Sequence, residues 1–350
     1  AGNRALDFAI AVGIGLVGAG FLLLLRYGIK LSTPPLILTI LVPAALCIAV
    51  EQIWPRTLRF GLSVGAAMIA IVACSRLDSS RMLYEGRNFY GMKSAYAHPS
   101  GSYHEFAHGT TVHGAQWTDP KGQDTPLTYF HPTGPVGNVF RVFESMRVKQ
   151  NVGIIGLGAG AMAPYAQPGQ HFTFYEIDPE VARIASDPAL FTYLERCGEK
   201  CDIVLGDGRL TLAAAPDAHY GLLFLDAFSS DAVPVHLLTR EALELYLRKL
   251  DPDGLLIFNI TNRYLDLAPL LASLAEETGL SCRVRRDDAN VPGVSQFPLK
   301  KASRFFVMSR NARALARLER FPDWEKPDAG RTIRPWTDQY SNIFSVLDWE

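Results

Sequence analysis

Three carboxylates each close a short apolar run: Glu176 after Phe172–Tyr175, Asp207 after Ile203–Leu205 and one glycine, and Asp226 after Leu222–Leu225. If these runs are parallel strands of one sheet, their carboxyl ends open on a common crevice and the three acids meet there. An acid at the end of the second strand suits a ribose diol. One at the end of the third could accept from an exocyclic adenine amine, and one at the end of the fourth faces the same crevice. Upstream, Val152-Gly153-Ile154-Ile155-Gly156-Leu157-Gly158-Ala159-Gly160 reads as a strand running into a turn where Gly156, Gly158 and Gly160 let backbone approach a ligand. The turn alone serves a nicotinamide dinucleotide as readily as an adenosyl ligand. The ordered acids, with Asp178 beside Glu176 and Gly208 beside Asp207, point to an adenosyl sulfonium, S-adenosylmethionine or its decarboxylated form.

Alkyl transfer from a sulfonium needs alignment and a neutral nucleophile. An amine arrives protonated, so a carboxylate must take its proton. Asp226 is the first candidate and Asp231 the second; the competing reading is that Asp226 caps a turn. Tyr90, His113, Gln116 and Tyr129 are candidate substrate contacts, the two tyrosines standing equally well as core aromatics. His98, His104, His108, His113 and His131 crowd one stretch, but neither cysteines nor a firm set of carboxylates joins them, so no metal is expected.

These side chains need a scaffold, and the rhythm from Asn151 onward supplies one. Val152–Gly156, Phe172–Tyr175, Ile203–Leu205, Leu222–Leu225 and Leu255–Ile260 have strand length, separated by helical stretches at Pro179–Ser186, Thr239–Leu250 and Leu265–Thr278. Continuous apolar strands alternating with helices predict a parallel sheet covered on both faces. Arg283–Arg286 and Arg304–Met308 follow as an antiparallel pair at one edge. Before this core, Met82–Tyr84, Tyr90–Ala95, Tyr103–Ala107 and Thr110–Ala115 predict a small β domain, then a helix over Val136–Arg147.

The first part of the 350-residue chain differs in composition. Phe8–Leu25, Pro35–Val50 and Phe60–Cys74 are apolar runs flanked by Arg26, Lys30, Arg56, Arg59 and Arg76, which predicts about three transmembrane helices. Basic residues favour the side carrying the larger part, so the expectation is a multi-pass protein of the cytoplasmic (inner) membrane with that part in the cytoplasm. The chain opens on Ala1 rather than Met, which leaves room for earlier spans. A net charge of -1 gives no reason to expect nucleic acid. Cys197 and Cys201 lack a second pair that would complete a zinc site and are read as structural. The expected organisation is 1–77 transmembrane, 78–149 β domain, 150–312 α/β nucleotide-binding domain and 313–350 a tail packed on the core.

From about Tyr90 to Leu250 the chain resembles the spermidine synthases (polyamine aminopropyltransferases), and more closely their bacterial relatives fused to transmembrane helices. The matching pieces are Tyr90-Gly91, the glycine-rich turn, Glu176-Ile177-Asp178, Gly206-Asp207-Gly208 and Asp226 to Asp231. The stretches His108–Gln116 and Trp336–Asn342 are similar to the fused relatives. The resemblance implies an α/β, Rossmann-like class I methyltransferase/spermidine synthase fold, with Glu176 on ribose, Asp207 on adenine and Asp226 facing the attacking amine. Three positions depart from family patterns. The synthase turn carries an acid for the aminopropyl amine where Gly158-Ala159-Gly160 stands here. Thr125-Pro126-Leu127-Thr128 precedes Tyr129 without the synthases' diamine-holding acids, and Ile154 lies where methyltransferases often carry an acid.

The leading expectation is a membrane-anchored alkyl (aminopropyl-type) transferase. Its rivals are an S-adenosylmethionine-dependent methyltransferase or lyase, and a non-catalytic cofactor-binding or scaffolding subunit of a membrane complex. Expected partners are the lipid bilayer, a small-molecule or membrane-borne acceptor with at most one cationic amine, and a membrane-protein complex or homo-oligomer.

Overall fold

The computed structural model describes residues 4–23, 57–76, 81–109, 111–227, 234–262, 264–288, 299–328 and 333–348. The chain divides into two compact units, Ala1–Ser80 and Arg81–Glu350.

In the first unit, helices α1 (Arg4–Leu23) and α2 (Thr57–Arg76) pack on each other through Ile14 and Ala67, flanked by Ile10 and Val64. They coincide with the first and third apolar runs; the second lies outside the described residues. Among the described residues no helix is long and apolar enough to cross a membrane. Each of the two is 20 residues long, but α1 spends its first turn on Arg4 and Asp7, and α2 carries Arg59 and ends on Ser75-Arg76. What remains falls short of the roughly twenty apolar residues a span requires. This overturns the expected multi-pass placement in the inner membrane and leaves the expected fusion to transmembrane helices without support.

The second unit opens with an antiparallel meander of four strands, β1 (Arg81–Asn88), β2 (Gly91–Ala97), β3 (Tyr103–His108) and β4 (Thr111–Trp117). Its inward residues Ala95 and Phe106 belong to the same apolar cluster as the main domain, so the meander shares that core. Helix α3 (Pro135–Glu144) then leads into the large sheet, with the fixed φ of Pro135 suiting its first turn.

That sheet contains β5 (Asn151–Ile155), β6 (His171–Glu176), β7 (Cys201–Leu205), β8 (Tyr220–Leu225), β9 (Leu250–Asn259), β10 (Ser281–Asp287) and β11 (Ser303–Ser309). The order across it is β10-β11-β9-β8-β5-β6-β7, parallel from β9 to β7 and antiparallel at the β10–β11 edge, as the sequence predicts. Successive residues alternate between two apolar clusters, Ile154 and Phe224 on one side, Ile155 and Leu225 on the other. Burial on both faces is why the inner strands β5 and β8 are apolar almost throughout.

The covering helices are α4 (Pro179–Ala185), α5 (Tyr193–Cys197), α6 (Gly208–Ala213), α7 (Arg240–Lys249), α8 (Ala268–Glu277) and α9 (Ala312–Leu318). Cys197 and Cys201 form a disulfide between α5 and β7. The tail lies against the second cluster, with Ile333, Trp336 and Val346 buried there. The strand order reverses where β5 pairs with both β6 and β8. In open α/β sheets a crevice at the carboxyl ends of such strands is the usual ligand site.

Candidate active site

The glycine-rich turn is clamped from two sides. Gly156 has φ +102°, and a side chain there would run into the carbonyl oxygen of Asp226. Gly158, at φ +56°, would place a Cβ 2.6 Å from the carbonyl oxygen of His113 on β4. Only glycine combines that backbone with that approach. The turn is tied down further by Gly156 N–H donating to Tyr175 (2.9 Å) and Asp226 N–H donating to Ile155 (2.9 Å). Gly160 packs against Leu194 and does not line the crevice.

Glu176 closes β6 and fastens the turn to it. Its Oε2 accepts from Leu157 N–H at 3.0 Å and its Oε1 from Asp178 N–H at 2.9 Å. Burial pushes its carboxyl above the ordinary value, against the pull of these backbone donors. Each oxygen keeps a second lone pair, which matches the two hydroxyls of a ribose.

Asp178 lines the same crevice with its carboxylate committed to the protein. It caps α4 through Glu180 N–H (2.9 Å), accepts from Asn88 Nδ2 (2.7 Å) and pairs with Lys93, both charges almost fully buried. Burial pushes this carboxyl up, but Lys93, the Glu180 amide and Asn88 outweigh it and hold it below the usual range.

Asp207 caps α6, its Oδ1 accepting from the N–H groups of Arg209 (2.9 Å) and Leu210 (3.0 Å). Its Oδ2 lies 3.3 Å from His236 Nε2 at the crevice wall. Behind it, Arg209 makes a two-pronged contact with Asp338 of the tail at 2.7 Å on each prong, and Thr239 donates to the same carboxylate at 2.7 Å. The tail therefore braces the helix that presents Asp207. Gly208 touches Ile155, where a Cβ would lie 2.6 Å from Cγ2.

Asp226 closes β8 on the opposite side of the turn. Asn259, closing β9, donates to its Oδ1 at 2.7 Å, and the Tyr129 hydroxyl lies 3.5 Å from its Oδ2. The residue keeps some surface on the crevice while its carboxyl sits deep. Burial raises that carboxyl to about 7, against the two hydrogen-bond donors. The phenol of Tyr129 is raised by the same burial and by the carboxylate beside it.

Together these residues line a cavity of about 260 Å³, near the lower end of ordinary small-molecule sites. Tyr90, His108 and His113 of the meander complete its wall, with the His108 ring held by the Tyr90 carbonyl at 2.6 Å. Gln116 is not among the lining residues. Its side chain joins Thr192 N–H (2.7 Å), Thr192 Oγ1 (2.9 Å) and the Gln123 carbonyl (3.1 Å), which makes it a brace between β4 and α5. Asp231 lies outside the described residues.

Three participants escape a sequence reading centred on acids: Asn259, His236 and Lys93. Asn259 is a polar residue inside the apolar run Leu255–Ile260, where an uncharged side chain does not stand out. Lys93, a single cation within a strand, and His236, beyond the last acid, carry no spacing signal.

The donor set fits an adenosyl sulfonium. Glu176 and Asp207 are spaced along successive strand ends, Gly156 and Gly158 let the turn's backbone approach, and Ile177 and Leu237 add apolar wall for a base.

No family model matches the chain. A polyamine aminopropyltransferase of Vibrio vulnificus (strain CMCP6) is 26% identical over 202 residues, covering 55% of this chain and 64% of that protein, under two-thirds of its length. A solved spermidine synthase of Thermotoga maritima superposes with a TM-score of 0.47 at 14% identity, over 74% of this chain and 82% of the other. A probable spermidine synthase of Corynebacterium glutamicum ATCC 13032 superposes with a TM-score of 0.57 at 17% identity, over 74% of this chain and 98% of that one. The chain thus has a Rossmann-like fold of the class I methyltransferase and spermidine synthase type.

Proposed function

We propose that the protein is an alkyltransferase of the aminopropyl-transferring kind, moving a carbon chain from an adenosyl sulfonium to an amine. The observation that carries this reading is the buried Asp226 carboxyl, held by Asn259 and Tyr129 across the glycine turn from the ribose-type acid Glu176. The likeness to a polyamine aminopropyltransferase supports it.

Glu176 and Asp207 would hold ribose and adenine, and the donor, once bound, supplies the electrophilic carbon next to sulfur. The chain's own task is to present an amine lone pair. A carboxylate with a pKa near 7 is a better match for an ammonium proton than one at its ordinary value. The ammonium gives a proton to Asp226. The nitrogen lone pair then forms the N–C bond as the C–S bond breaks, and sulfur departs with the bonding pair as a neutral thioether. Tyr129 and Asn259 keep Asp226 aimed through both states.

One observation favours a second reading, methyl transfer or elimination. Ala159 is fully buried at the turn, with no carboxylate there to hold the amino end of a decarboxylated donor. Calorimetry with S-adenosylmethionine, its decarboxylated form and methylthioadenosine tests the proposal. Micromolar binding of the decarboxylated donor supports it, and failure to bind any of the three overturns it.

A further inference from the structure

We infer that the acceptor is a primary amine with a single positive charge and a flat or apolar body, rather than a diamine. The inference rests on the alkyl-transfer reading above and names the substrate class of that same site.

Four carboxylates line the cavity among the described residues, and three of them serve the donor side or the fold. Glu176 holds backbone N–H groups with both oxygens, and Asp178 is neutralised by buried Lys93. Asp207 caps α6 at the far, base-binding end, beside His236. Among the described residues Asp226 is the carboxylate at the amine end, and it must take a proton for the reaction to proceed. A second ammonium would enter a desolvated site with no countercharge among these residues, which is costly.

The rest of that end is aromatic. The rings of His108 and His113 lie 6.0 Å apart, Phe106 stands 6.5 Å from His113, and Tyr90 and Tyr129 close the wall. Such a lining places π faces and ring edges around a guest, which suits stacking with a planar body and a cation–π contact to one ammonium. In the transfer, the amine nitrogen forms its new bond to carbon as the C–S bond breaks, sulfur keeps the electron pair and Asp226 keeps the proton. The apolar body stays against Tyr90.

The test is competition between acceptors in the presence of decarboxylated S-adenosylmethionine, with donor binding measured alongside by calorimetry. Putrescine, butylamine and phenethylamine offer a dication, a monocation of equal length and an aromatic monocation. The expected result is kcat/KM for phenethylamine and butylamine above that for putrescine by about tenfold or more. Tyr90→Glu, which adds a carboxylate to the wall, should narrow or reverse that preference, while Tyr90→Leu should weaken phenethylamine selectively. Putrescine used as well as or better than the monoamines overturns the inference and leaves alkyl transfer standing. Donor binding with transfer to none of the three also overturns the inference. Loss of donor binding in the unsubstituted protein overturns the alkyl-transfer reading itself.

Discussion

The Tyr129 hydroxyl lies 3.5 Å from Oδ2 of Asp226, while Asn259 holds Oδ1 at 2.7 Å. Both neighbours are neutral donors, so neither supplies the positive charge that would stabilise an ionised carboxylate strongly. Burial then decides the outcome and lifts this acid from 3.8 to about 7.

If Asp226 is the proton acceptor, it must be ionised at the start of the reaction. Turnover should therefore rise with pH through about 7 and level above it. Asp226→Asn should lower kcat by roughly 10²–10⁴ and abolish that limb of the profile. A profile flat from pH 6 to 8 in the unsubstituted enzyme would remove Asp226 from this role.

The same shift has a consequence for stability. Well below pH 3.8 the acid is protonated in both states. As pH rises toward 7, the unfolded chain ionises while the folded one holds its proton, so stability falls across that window and stays lowered above it. Asp226→Asn should be more stable than the unsubstituted protein at pH 8, by on the order of 1–4 kcal/mol, with the difference shrinking toward pH 4. Urea denaturation at the two pH values measures it.

Glu176→Gln and Asp207→Asn should each weaken donor binding, by about 1.5–3 kcal/mol if a bond to a charged group is lost. Asparagine still caps a helix, so Asp207→Asn separates loss of the base contact from loss of α6. Asp226→Asn should bind the donor unchanged. Calorimetry on the three variants distinguishes these outcomes.

The sheet and its acids were legible because strands buried on both faces leave long apolar runs, and a carboxylate at the end of a run stands out. Asp226 was found that way. Its partner Tyr129 stood equally well as a core aromatic, since a tyrosine in a connecting segment has no periodicity to place it. Asn259 lies within its apolar run and carries no charge to mark it. Gln116 sits in a polar motif beside His113, but its side chain is spent on Thr192 and the Gln123 carbonyl. Helices α5, α6 and α9 are too short for a 3.6-residue period to declare itself. The apolar content of α1 and α2 was legible, but it did not separate spanning helices from a packed pair.

Lys93→Met should expose how much of the site depends on a buried ion pair. It would leave Asp178 without its counter-ion in a buried setting, and stability should fall by about 3–5 kcal/mol. Adding Asp178→Asn should recover a large part of that loss. If the single variant unfolds at the same urea concentration as the unsubstituted protein, the pair does not hold the meander to the start of α4.

Gly158→Ala should strain the turn twice over, through its φ of +56° and through a Cβ 2.6 Å from the His113 carbonyl. The expected loss is about 1–3 kcal/mol of stability, together with weaker donor binding as the turn moves off β4. Thermal unfolding with and without methylthioadenosine reads both.

The most direct test of alkyl transfer is product analysis by mass spectrometry. Purified protein would be incubated with S-adenosylmethionine or its decarboxylated form, each with a primary amine. The expected result is methylthioadenosine and N-aminopropylated amine in equal amounts from the decarboxylated donor. S-adenosylhomocysteine and a methylated amine from S-adenosylmethionine, with no methylthioadenosine from either donor, would contradict aminopropyl-type transfer.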